Sequence, residues 1–137
     1  MKKFIKMMAL TAAAIGMSAG AAVAEPLKVG FLYLTTPGDH GWTYAHELAR
    51  QEVQAHFGDK VETTFVENVP EGPDAERVVR ELARQGNQVI FGTSFGYMDP
   101  MLKVSKDFPD VKFEHITGYK RSGNICLLYT SPSPRDV

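Results

Sequence analysis

Four short runs rich in β-branched and aromatic residues recur along the chain at intervals too long for hairpins. They are LKVGFLYL (Leu27–Leu34), VETTFVE (Val61–Glu67), QVIFGTS (Gln88–Ser94) and VKFEHIT (Val111–Thr117). Between them the apolar period changes from that of a strand to that of a helix. Trp42, Ala45, Leu48, Ala49, Val53 and Phe57 form one stripe, stopped by Gly58. Ala75, Val78, Val79, Leu82 and Ala83 form a second, opened by Pro73 and stopped by Gly86. Met101, Leu102, Val104, Ser105 and Phe108 form a short third, between Pro100 and Pro109. Strands alternating with helices join as right-handed βαβ crossovers, so this pattern predicts an α/β fold with a parallel sheet.

If strand one lies between strands two and three, the strand order reverses at strands one and three. A ligand is then expected in the crevice outside their carboxyl ends. Two loops border that crevice: Thr35–Trp42 after strand one, and Gly92–Asp99 after strand three. The first holds Asp39, His40 and the single tryptophan, Trp42. Trp42 falls in register with its helix stripe, so core packing and contact with a planar ligand both remain open. Asp39 suits a helix cap or Asx-turn, or a carboxylate receiving ligand N–H or O–H groups. In the second loop Phe95 and Tyr97 can stack on a ring or pack the edge of the sheet. Asp99, before Pro100, reads as a helix cap or as an acceptor facing the crevice.

Gly92-Thr93-Ser94-Phe95-Gly96 also matches G-x-S-x-G, the nucleophile elbow of α/β hydrolases. A secreted serine hydrolase using Ser94 is therefore an alternative. Its required partners fit poorly, because His115, the only later histidine, lies inside a predicted strand. Asp39, His40, His46 and His56 lack metal-ligand spacing, and neither a Walker loop nor G-x-G-x-x-G occurs. No metal or cofactor is expected.

Residues 1–24 read as a secretory signal peptide: Lys2, Lys3 and Lys6, an apolar run, and Ala22-Val23-Ala24 before the cleavage point. No cysteine stands there for lipid attachment, so a free periplasmic protein is expected. The chain carries 15 basic and 16 acidic residues; losing three lysines leaves 12 against 16, a net charge of about −4. Such a surface disfavours nucleic acid as a partner. The single cysteine, Cys126, cannot close an internal disulfide. It begins CLLYTSPSPRD, Cys126–Asp136, which abandons the preceding periodicity and resembles a translated transposase-type sequencing-library adapter. Residues 125–137 are accordingly expected to be a non-native tail following a lobe of residues 25–124.

KVGFLYLTTPGDHGWTYAHELAR, KVETTFVENVPEGPDAERVVREL and VIFGTSFGYMDPMLKVSKDFPDVKFEHITGYK, taken in order, resemble the amino-terminal lobe of basic-membrane-protein (BMP) family substrate-binding proteins. The resemblance covers residues 27–124. It implies one lobe of a two-lobed, type I periplasmic binding protein with flavodoxin-like strand order, truncated before the second lobe. It also implies a purine nucleobase or nucleoside held between the lobes and delivered to an ABC permease. A first-loop motif of the form Asp-x-Ser-Phe-Asn in related receptors aligns with Asp39 to Thr43. Asp39 is kept and Trp42 replaces the stacking phenylalanine, while Gly41 and Thr43 replace serine and asparagine. Without that asparagine the resemblance favours a bare, adenine-like base. Asp39, His40, Trp42, Ser94, Phe95, Tyr97 and Asp99 are the ligand-binding candidates. A periplasmic sensor lobe serving a receptor is the remaining alternative.

Overall fold

The computed structural model describes residues 24–128, so the leader and the end of the tail lie outside the described residues. The described residues form five parallel strands: β1 (Leu27–Leu32), β2 (Val61–Val66), β3 (Val89–Gly92), β4 (Lys112–Ile116) and β5 (Ile125–Leu128). They lie in the order β2-β1-β3-β4-β5, with Leu32 opposite Val66 on one side and Gly92 on the other. The reversal expected at strands one and three is thus found. β5 was not anticipated as a strand. It pairs with β4 from Phe113–Ile125 to Ile116–Leu128 and lies just beyond the boundary placed after residue 124.

Three helices follow the first three strands: α1 (Trp42–Phe57), α2 (Pro73–Arg84) and α3 (Met98–Ser105). Side chains alternate across a strand, so β1 feeds two cores. Leu32, Ile90, Phe113 and Ile125 face α2 and α3, where Val79, Leu82, Met101 and Val104 complete a closed core. Val29, Phe31, Tyr33 and Val61 face the α1 side, with Phe31 stacked on Phe91 at 4.7 Å between ring centres. α2 buries the stripe expected of it.

α1 does not. Its buried residues are Thr43 and Glu47, while Leu48 and Phe57 remain exposed. Ala49, Val53 and Phe57 instead line an apolar groove of about 680 Å³, walled on the sheet by Val89, Phe91, Ile116 and Leu128. Apolar spacing marks the side of a helix that avoids water, but not whether another element reaches it. Polar bonds bolt α1 in place. Glu47 accepts the Tyr33 hydroxyl at 3.1 Å and the Arg50 guanidinium at 2.8 and 2.5 Å, and Arg50 also bonds Thr63 at 2.7 Å. The Arg50 guanidinium sits 5.0 Å over the Phe65 ring.

α3 starts two residues before Pro100, after a 3-10 turn over Phe95–Tyr97. Proline is tolerated there because first-turn N–H groups have no partner within the helix.

Candidate functional site

The carboxyl ends of β1, β2 and β3 open into loops that are bonded to one another. Tyr33 N–H donates to Val66 O at 2.9 Å, and Val69 N–H to Tyr33 O at 3.1 Å. Val69, buried, plugs the space below. Asn68, at φ 54°, accepts the Thr36 N–H at 3.1 Å and donates to the Thr36 hydroxyl at 2.7 Å. Asparagine is among the few residues that tolerate that conformation. Thr93 closes the β1–β3 junction, its hydroxyl donating to Leu32 O at 2.6 Å.

Trp42 stands on this frame. Its indole N–H donates to Thr93 O at 2.6 Å, and its ring meets His46 edge-on at 4.7 Å between centres. It is nevertheless 52% exposed. A tryptophan filling the core would be buried. This one is fixed in orientation by its nitrogen while half its surface remains open.

The other candidates separate into two groups. Phe95 is 54% exposed, with its ring centre 6.3 Å from that of Tyr119, itself 68% exposed. Asp99 is exposed and accepts from Lys120 Nζ at 2.6 Å. Asp39 and His40 pair with each other at the open edge of the first loop. Asp39 does not cap α1, whose preceding residue is Gly41, and Asp99 lies inside the first turn of α3 rather than capping it. Tyr97 is withdrawn from the crevice. It is fully buried, its hydroxyl donates to Val69 O at 2.6 Å, and burial raises its pKa. In the 3-10 turn Phe95 and Tyr97 point to opposite environments.

Ser94 is not arranged as a nucleophile. Its hydroxyl donates to Glu71 at 2.6 Å, whereas His115 Nε2 lies 2.8 Å from the Ser94 carbonyl oxygen. A carbonyl oxygen can only accept, so the proton is on Nε2 and the ring does not address the Ser94 hydroxyl. Burial lowers the His115 pKa, opposed by that backbone bond, and Nδ1 has no hydrogen-bond partner among the described residues. Among the described residues no group of three or more His, Cys, Asp or Glu is placed to hold a metal ion.

Sequence reasoning passed over Glu71, Tyr119, Lys120, Asn68 and Thr93. Glu71 lies in NVPEG, a stretch that reads only as a lead-in to α2. The lysine and tyrosine follow a strand carboxyl end, the one signal that marks them out.

A family profile described as ABC transporter substrate-binding protein, PnrA-like, matches residues 27–128. A purine-binding protein of Brucella abortus is 58% identical over 119 residues, which are 87% of this chain and 34% of that protein. A Haloferax volcanii protein, provisionally named an ABC transporter glucose-binding protein, is 42% identical over 106 residues, 77% of this chain and 27% of its own. The chain therefore spans about a third or less of these relatives. A solved solute-binding protein from Conexibacter woesei superposes with a TM-score of 0.63 at 20% identity, over 74% of this chain and 34% of its own. A transcriptional activator of the comK gene from Bacillus halodurans gives 0.63 at 24% identity, over 73% and 33%. At such identities these two structures share the fold.

Proposed function

Because the chain belongs to the Bmp family of ABC transporter substrate-binding proteins, we propose that it is one ligand-holding lobe of an extracytoplasmic purine receptor. The family is one of binding proteins rather than enzymes. In this reading a second lobe closes on the ligand by hinge motion, and the loaded protein delivers it to a membrane permease. The leader of residues 1–24 carries the protein out of the cytoplasm, and residues 125–137 are an adapter-derived tail. The observation that carries the proposal is Trp42: a large aromatic face, half open, locked by Thr93 at the switch point of the sheet. Phe95 supplies a second open ring. Asp39 and Asp99 supply acceptors for ligand N–H groups.

A bare base such as adenine is favoured over a nucleoside. Position 43, where related receptors carry an asparagine, is here a buried threonine whose hydroxyl bonds Thr35 at 2.8 Å. It is turned inward and has nothing to offer a ribose. The purine-binding name of the Brucella relative supports a purine as the ligand class. Ser94, engaged by Glu71 and lacking a histidine at its hydroxyl, serves binding rather than hydrolysis.

The test is calorimetric titration of the two-lobed protein with adenine, adenosine and glucose, for the parent and for Trp42→Ala. Adenine should bind tightest to the parent. Trp42→Ala should weaken it roughly 10- to 100-fold, the scale of a lost aromatic anchor, with an unchanged far-UV spectrum. Unaltered affinity in Trp42→Ala, or a preference for glucose, would overturn the proposal.

A further inference from the structure

The G-x-S-x-G stretch has a second use that the binding reading leaves unassigned. Glu71 Oε1 accepts the Ser94 hydroxyl at 2.6 Å and the Gly96 N–H at 3.1 Å. From the opposite side, buried His115 donates from Nε2 to Ser94 O at 2.8 Å. Both backbone units flanking Phe95 are thereby held. A Cβ at position 96 would overlap the Glu71 carboxyl, so the last glycine of the motif is what lets the carboxylate approach.

We infer that Glu71 is a positioning residue for the ligand cleft: its carboxylate, seated in the Ser94–Gly96 turn, fixes the direction in which Phe95 presents its ring. This rests on Phe95 facing the ligand, as proposed above. Glu71 itself is exposed and adds nothing to the core. The far end of the turn is already anchored by Tyr97, buried and bonded to Val69 O. Folding therefore has little need of the Glu71 bonds, whereas the aim of an exposed ring between residues 94 and 96 depends on them. Bonds to an ionised acceptor are about twice as strong as neutral ones, which suits a tether that must hold in water. A ring held in its binding pose loses less freedom when the ligand arrives.

The experiment has a ligand-free arm and a ligand-bound arm. Amide exchange at Gly96 should accelerate roughly tenfold in Glu71→Ala and stay near the parent rate in Glu71→Gln, whose amide oxygen still accepts. Unchanged exchange in Glu71→Ala overturns the inference whatever the ligand proves to be. In the two-lobed protein, adenine affinity should fall roughly tenfold in Glu71→Ala and recover to within about threefold in Glu71→Gln. In a Phe95→Ala background, Glu71→Ala should cost less than about twofold, because there is no ring left to aim. The same factor in both backgrounds overturns the inference. If Phe95→Ala alone leaves adenine binding intact, the reading of Phe95 as a ligand contact fails, and the role of Glu71 with it. Ser94→Ala removes the other end of the same bond and should weaken adenine by a similar factor; no loss there also overturns it.

Discussion

Glu47→Gln offers a sharp test of how α1, and with it Trp42, is fixed. The Glu47 carboxyl is held at about 2 against an ordinary 4.5, first by the Arg50 guanidinium, with burial opposing and Gln51 and Tyr33 assisting. At ~1.4 kcal/mol per tenfold shift in acidity, this favours the folded chain by about 3 kcal/mol at neutral pH. The folded value is the depressed one, so the contribution is complete well above pH 4.5 and declines as pH falls through the window down to 2. At pH 3 about half should remain. Glu47→Gln keeps the shape and removes the charge, leaving the largely buried Arg50 without its counter-ion. Urea denaturation followed by far-UV circular dichroism at pH 7, 5 and 3 is the assay, with equal m-values required throughout. The variant should lose about 3 kcal/mol at pH 7 and about half that at pH 3. A penalty that does not change with pH would refute the reasoning, because the loss would then come from packing rather than ionisation.

Other consequences follow from the same rim. Thr117 holds φ 74°, a left-handed conformation costly for a β-branched residue. Thr117→Gly should therefore raise stability by about 0.5–1 kcal/mol, seen as a higher urea midpoint. Gly118→Ala should do the reverse, by about 2 kcal/mol, because its Cβ would overlap the buried His115 ring, which has nowhere to move. Reading the source gene across the codons for Ser122 to Cys126 should show the genomic frame departing from CLLYTSPSPRD. A genomic frame that encodes those residues would overturn the adapter assignment.

The first four strands and the bounds of α1 were legible because their signals are local: a run of β-branched residues, a periodic stripe, a stopping glycine. The strand order 2-1-3 entered the sequence reading only as a condition, and the sheet meets it, so the order reverses at β1 and β3. What resisted reading depends on residues far apart in the chain. Glu71 meets the Ser94–Gly96 turn across 23 to 25 positions, and Lys120 meets Asp99 across 21. No periodicity encodes such pairs. Phe95 and Tyr97 are two positions apart with nearly the same side chain, yet the 3-10 turn sends one outward and the other into the core. The exposed α1 stripe resisted for another reason: periodicity predicts an apolar face but not whether another element covers it. β5 was obscured because its four residues, Ile125–Leu128, fall in the stretch assigned to the tail, where strand signals were not sought.

The rim bonds also account for how a loop-built surface can act as a rigid wall. Loops ordinarily carry conformational freedom into a binding event, and ordering them then subtracts from affinity. Here the bonds that suppress such freedom form within the lobe as it folds. Trp42 is fastened to Thr93, Thr93 to Leu32, Ser94 to Glu71 and His115, and Tyr97 to Val69. All of these fastenings use polar atoms and leave the Trp42 and Phe95 rings largely free. The polar groups of the rim are thus mostly committed to one another, and the aromatic faces are what the surface still has to offer. In the proposed receptor a surface of that kind selects flat, apolar-faced ligands by shape. It leaves the discrimination of polar edges to the exposed groups at its margin, the Asp39–His40 pair among them, and to the proposed second lobe.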